Sequence, residues 1–243
     1  TGVDIILALD SSGSMKALDF EVDGERVDRL SIVKNVVREF LKSRKGDRVS
    51  IVTFGEEAFT LSPLTSDIRS LDKVIRDMHI GMAGESTAIG SAMGVSIQRI
   101  KKLKAKSKVI ILLTDGRNNA GEVSPEAMAN VAKELGIKIY TIGVGDKNGR
   151  APFLVNSFFG KRYIYQNVDL DDVTLKKVSE LTGARYFNAK NTDELKDVYT
   201  SINKLEKREI EVEKFVNYRD LYPYILFVVV ILIFLEGVLR TKF

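Results

Sequence analysis

Four segments of the chain are apolar at nearly every position: VDIILAL (3–9), RVSIVTF (48–54), KVIILLT (108–114) and IKIYTIGV (137–144). Continuous Val/Ile/Leu runs of this length predict strands buried on both faces of a parallel sheet. Between them apolar residues recur at three- and four-residue spacing. Leu30, Val33, Val36, Val37, Phe40 and Leu41 predict a helix closed by Gly46, and Ile68, Leu71, Val74, Ile75 and Met78 predict a second. A third helix is expected over 88–104. The fourth is framed by Ser124 as N-cap, Pro125 as first helical residue and Gly136 as stop. Residues 145–167 read as a looser stretch. A helix over 171–181, a short strand ARYFNA (184–189) and a long helix over 192–207 follow. Alternation of strands and helices predicts a doubly wound, mostly parallel, Rossmann-like α/β sheet over residues 3–208. Such sheets bind ligands at the carboxyl ends of their strands, where the strand order reverses.

The pattern then changes. EIEVEKF (209–215) alternates acidic and apolar residues like an edge strand, within a juxtamembrane linker at 209–220. Residues 221–239 are apolar except for Glu236, and as a helix they reach about 28 Å, close to the thickness of a bilayer core. Tyr218, Tyr222 and Tyr224 on one side and Arg240 and Lys242 on the other resemble interfacial anchors, so a transmembrane helix is expected. Lys207, Arg208, Lys214 and Arg219 place more positive charge on the domain side, which by simple counting puts the domain in the cytoplasm. Large domains translocate largely regardless of charge, which weakens that count. The chain starts at Thr1 without methionine, and a trimmed start is expected.

Composition narrows the function classes. A net charge of +4 without a clustered basic stripe gives no case for nucleic acid, and KKLKAKSK (101–108) reads as a helix C-terminus on a solvated face. No cysteine is present, which excludes thiolate zinc sites, redox motifs and disulfides. His79 is the sole histidine and reads as structural. The glycines of GVGDKNG lack dinucleotide-binding spacing.

The first strand ends in DSSGS (10–14), and KVIILLT ends at Asp115. Asp10, Ser12, Ser14 and Asp115 offer only oxygen, a donor set suited to Mg²⁺, Mn²⁺ or Ca²⁺. Serine hydroxyls bring no charge, so a cation held by them stays electron-poor and accepts water or an outside carboxylate. A further hydroxyl is available in HIGMAGESTAIG (79–90), where Thr87 or Ser86 reads equally as an ordinary N-cap.

Together DSSGS, Thr87 in GESTAIG and LLTDG (112–116) resemble the metal-ion-dependent adhesion site of von Willebrand factor A domains. That resemblance implies that Ser12, Ser14 and Thr87 hold a cation directly and that Asp10 and Asp115 bind it directly or through water. A Glu or Asp of a protein partner would complete the coordination. RKGDRVSIVTFGEEAFTLSPLTSD, KVIILLTDGRNNAGE and DLYPYILF further resemble bacterial BatA-type proteins of the aerotolerance operon. This implies a bacterial inner-membrane protein whose domain lies on the extracytoplasmic side. Its partners would be other Bat-type proteins or, for a cytoplasmic domain, a MoxR-family AAA ATPase. The expected function is a non-enzymatic, metal-dependent binding module. Two alternatives stand beside it: a structural membrane protein with a merely stabilising metal site, and a Mg²⁺-dependent phosphotransferase using Asp10 as nucleophile. The latter lacks an acid two positions on, where Ser12 stands. KALDFEVDGERVD (16–28) lies beside the metal site and is expected to be a surface loop, the alternative being that it shapes partner choice.

Overall fold

The computed structural model describes residues 3–216, except 23, 45, 104–106, 147–148, 158–159 and 169, together with 226–227; side chains are described for all of these but 156–157 and 207–216. By internal contacts the chain divides into two compact units, Thr1–Glu206 and Lys207–Phe243.

The first unit is built on a six-stranded sheet. Its strands are β1 (Asp4–Asp10), β4 (Arg48–Phe54), β5 (Ala58–Thr65), β6 (Lys108–Thr114), β7 (Lys138–Val144) and β10 (Tyr186–Ala189). They lie in the order β10-β7-β6-β1-β4-β5, all pairings parallel except β4 with β5. The four apolar runs of the sequence are thus the central strands. The antiparallel edge strand β5 was not expected; it carries Pro63, tolerated where no partner needs the missing N–H.

The helices are α1 (Arg29–Lys42), α2 (Ile68–Asp77), α3 (Ile89–Ile100), α4 (Pro125–Glu134), α5 (Asp172–Leu181) and α6 (Thr192–Val216). Ser124 caps α4 as expected, accepting from Ala127 N at 3.2 Å. Asp28, Asp67 and Asp171 cap α1, α2 and α5. Ile89, Met93 and Ile97 of α3, Ala129 and Ala132 of α4, and Leu175 and Val178 of α5 form one core with Ile6, Ala8, Val52, Ile110 and Ile139 of the sheet. The alternate positions Ile5, Leu7, Leu9, Ile111 and Leu113 are equally buried and point the other way. Right-handed crossovers explain the division: the chain moves one way along the sheet from β1 through β4 to β5, then crosses back to β6 and runs the other way to β7 and β10, so α1 covers the face opposite α3–α5. There Phe40 of α1 meets Tyr199 of α6, ring centroids 4.8 Å apart.

Two antiparallel hairpins lie outside the main sheet: β2 (Phe20–Val22) with β3 (Glu25–Val27), and β8 (Arg150–Ser157) with β9 (Gly160–Asn167). The first replaces the expected surface loop at 16–28, whose Ala17 and Phe20 are buried; the second occupies the stretch read as loose. Residues 209–215, expected as a strand, lie within α6. Their Glu- and Lys-rich composition continues an established helix, and seven alternating residues are too short a signal to oppose it. The expected transmembrane segment 221–239 lies outside the described residues save for the helical Leu226 and Phe227. Among the described residues no helix is long and apolar enough to cross a membrane.

Candidate metal centre

β1 and β6 run side by side in register up to Leu9 and Leu113, so Asp10 and Thr114 end level with each other at the switch in strand order. Asp10 is fully buried. Its Oδ1 accepts from Ser12 N at 2.8 Å and its Oδ2 from Thr114 Oγ1 at 2.5 Å. The DSSGS loop is pinned on its inner side by Ser11, whose N and Oγ both donate to Phe54 O, at 2.8 and 3.1 Å. With Ser11 turned inward, Ser12 and Ser14 fall on the same side, their hydroxyls 3.0 Å apart. Ser14 Oγ donates to Asp115 Oδ1 at 2.6 Å.

Thr87 reaches this group on a loop locked from both sides. Its N–H donates to Asn119 Oδ1 at 2.7 Å, and Gly13 N donates to Glu85 O at 3.0 Å. The loop lies so close to Gly55 that a Cβ there would stand 2.6 Å from Gly84 O and 2.7 Å from Ala83 O, contacts only glycine allows. The N-cap reading of Thr87 is not realised: α3 starts after Ala88 and no side chain caps it. The Thr87 hydroxyl instead faces Gly116, where a Cβ would meet Thr87 Oγ1 at 3.4 Å and Ser14 Oγ at 3.9 Å. All five residues singled out in the sequence therefore stand around one point. Ser14, Thr87 and Gly116 open there onto a cleft of about 480 Å³.

A sixth residue went unnoticed in the sequence. Arg29, at the start of α1, is 1% exposed. Its Nη1 donates to Asp115 Oδ2 at 2.7 Å, its Nε to Asp19 Oδ1 at 2.9 Å, and its Nη2 to Asp19 Oδ2. Gly145 makes room for it, since a Cβ there would collide with the guanidinium. Asp19 belongs to the segment expected to be a mere surface loop, and the Arg29 fork ties that segment to the site. The signal was local: a cation in the first turn of a helix opposes the helix dipole, so something else must hold it.

The electrostatics fit a divalent cation. Arg29 pairs with Asp19 and Asp115, and Asp10 feels the charge of Asp115, so with all three acids ionised two negative charges are left in or beside a buried site. Burial, and then the Asp115 charge, push the Asp10 carboxyl up to about 7. Burial also raises Asp115, although Arg29 opposes the shift. Burial pulls Arg29 down, but its hydrogen bonds and charge contacts with Asp19 and Asp115 more than offset this. Among the described residues no three His, Cys, Asp or Glu side chains converge on one point; the donors here are hydroxyls backed by two carboxylates. That is a hard-oxygen set suited to Mg²⁺, Mn²⁺ or Ca²⁺. His79 lies apart at the end of α2, its Nδ1 3.3 Å from Asp77 O, and takes no part.

Comparison with known proteins agrees with this architecture. An uncharacterised protein of Borreliella burgdorferi is 28% identical over 223 residues, which cover 91% of this chain and 64% of the relative. A relative in Mycobacterium leprae matches over 58% of its own length, so the chain spans less than two thirds of these proteins. Among solved structures, BatB from Bacteroides thetaiotaomicron superposes with a TM-score of 0.72 at 26% identity, covering 85% of this chain and all of the other. The fold is shared by an aerotolerance-related membrane protein from Bacteroides fragilis, TM-score 0.69 at 24% identity, over 84% of this chain and 98% of that one. The von Willebrand factor type A domain model matches residues 4–201, nearly the whole first unit, and the chain belongs to that family.

Proposed function

We propose that this chain is a membrane-anchored module that holds a divalent cation, Mg²⁺ or else Mn²⁺ or Ca²⁺, at Asp10, Ser12, Ser14, Thr87 and Asp115. Through it the module binds a Glu or Asp of a protein partner, without catalytic turnover. The observation that carries this reading is that Asp10 and Asp115 are buried behind the site while the Ser14 and Thr87 hydroxyls line the cleft, whose charged lining is Arg117 and the ion pair of Lys16 with Glu85. A cation bound there would be a Lewis acid still short of negative charge on its open side. Ser12, Ser14 and Thr87 orient it, and the Arg29 fork fixes Asp115 behind it. Asp10 is poorly suited to be a phosphotransferase nucleophile, being fully buried with both oxygens already accepting hydrogen bonds.

The apolar run 221–239 supports the anchor, and we place the domain in the bacterial envelope, outside the cytoplasmic membrane, as the resemblance of the sequence to Bat-type proteins implies. On that side the partner is another envelope protein, Bat-type proteins first. On the other side a MoxR-family AAA ATPase becomes the candidate. Single cysteines at exposed Glu122 and at Thr241, labelled in intact cells with a membrane-impermeant thiol reagent, separate these cases. Labelling of the Glu122→Cys variant alone places the site outside.

The decisive experiment titrates Mg²⁺ into the EDTA-stripped full chain and recovers chemically cross-linked neighbours from intact cells. Ser12→Ala is expected to abolish both the calorimetric site and the cross-linked partner. A partner recovered undiminished with Ser12→Ala leaves the ion a purely stabilising role and overturns the binding function.

A further inference from the structure

The β8–β9 hairpin is fixed at its base beside the metal site and exposed at its flank. Leu18 N donates to Pro152 O at 2.8 Å, and Ala17, Ala151 and Val168 form a small buried cluster with Phe153 against it. Phe153, Gln166 and Asn167 line the same cleft as Ser14 and Thr87. Further out, Leu154 pairs with Tyr163 across the strands, and Tyr165, two residues on, shares their face. These three side chains are 44%, 52% and 56% exposed. Arg26 of the neighbouring hairpin lies 5.5 Å over the Tyr163 ring. Residues 150–167 include Arg150, Lys161 and Arg162 and no Asp or Glu; of the acids nearby, Glu21 of β2 faces Arg26 across the strands, and Glu85 at the cleft is paired with Lys16 at 3.1 Å. Exposed aromatic and aliphatic side chains in a row, with cations around them, suit an interface and not a solvated surface.

We infer that the Leu154–Tyr163–Tyr165 face of the β8–β9 hairpin is a second contact for the protein partner, and that it selects an extended acidic segment carrying an apolar or aromatic anchor. This rests on the reading of the cleft as a carboxylate-accepting metal site, and deepens it. Phe153 and Gln166 turn to the other face of the hairpin, but Asn167 lines the cleft and shares its side of β9 with Tyr163 and Tyr165, so a chain whose carboxylate enters beside Asn167 and follows β9 meets both rings. Tyr163 stands four residues from Asn167, roughly 14 Å along an extended strand, which sets the anchor about four residues from the metal-binding acid. Charge complementarity decides the rest: the cation and the hairpin's Arg and Lys side chains favour a segment with further acids. A lipid surface would engage the hairpin but would have no use for the polar lining of the cleft at its base.

The probe is a display library of random linear peptides, selected on the detergent-solubilised full chain in Mg²⁺. Enriched peptides are expected to carry an acid with an apolar or aromatic residue about four positions away. Ser12→Ala should abolish their binding. The double variant Tyr163→Ser/Tyr165→Ser should weaken it about tenfold or more while leaving Mg²⁺ affinity unchanged. Peptides lost with Ser12→Ala but unaffected by the double variant overturn the hairpin's role and leave the metal reading standing. Peptides indifferent to both Ser12→Ala and EDTA overturn the metal reading itself. Phosphatidylglycerol vesicles bound by the parent chain and released by the double variant, with peptide binding unchanged, make the face lipid-directed and refute the inference.

Discussion

Asp10 offers the most direct test of the charge balance at the site. A carboxyl that ionises near 7 in the folded chain and near 3.8 when unfolded binds its proton more tightly in the native state. Between those values the folded chain holds more protons than the unfolded one, so stability without metal falls as pH rises from about 4 to about 7 and is flat beyond. The full loss is about 4 kcal/mol, since each tenfold change in proton affinity is worth about 1.4 kcal/mol. A divalent cation reverses the sign, because it needs the ionised carboxylate and displaces the proton. Mg²⁺ should therefore stabilise little at pH 5 and most at pH 8. Urea unfolding of the full chain in EDTA and in excess Mg²⁺, at a series of pH values, measures both curves. They should diverge up to about pH 7 and run parallel above it. Asp10→Asn should make the EDTA curve shallower over this range, leaving the part that the raised Asp115 contributes, and should abolish the divergence. An EDTA curve already flat between pH 4 and 7, or a Mg²⁺ effect of equal size at pH 5 and 8, would refute the reasoning.

Arg29→Met leaves Asp19 and Asp115 facing each other with no cation between them. It should cost about 3–5 kcal/mol in urea unfolding, with the loss largest in EDTA, where no metal offsets the exposed repulsion. Gly55→Ala pushes a methyl against the Ala83 and Gly84 carbonyls and should displace the Thr87 loop; calorimetry should show Mg²⁺ affinity reduced about tenfold, or about 1.4 kcal/mol. Glu206 is fully buried and accepts from Ser107 Oγ and Tyr140 Oη, both at 2.7 Å. Glu206→Leu removes the acceptor these two hydroxyls share and should cost about 1–3 kcal/mol in the same urea assay, with Mg²⁺ affinity unchanged.

The central sheet and its metal-facing loops were legible because each carries a pattern that one role explains. An apolar run buried on both faces has few alternatives to a parallel strand, and an aspartate at its end needs a reason to be there. The elements that were missed have mixed patterns set by what they lie against. β5 is only half covered and includes Pro63, so neither alternation nor continuity marks it. β8–β9 is buried at its base, bare at Tyr163 and Tyr165 and basic between, which no single period describes. The 16–28 segment looked like a solvated loop because its acids and Arg26 outnumber its apolar residues, although Ala17 and Phe20 are in fact buried. Arg29 is different in kind. Its local context argues against it, since it stands in a helix's first turn where an acid is favoured, and full burial of a guanidinium is costly. A residue that violates its local rule and is still held in place must be required by its tertiary partners. Here those partners are Asp115, on the far side of the sequence, and Asp19 in the loop beside the cleft. Three ionised carboxylates and one guanidinium leave two negative charges, so the arrangement that looks unfavourable in the chain alone becomes balanced once two positive charges arrive. The misplaced arginine is thus as much a mark of the metal site as the serines that face it.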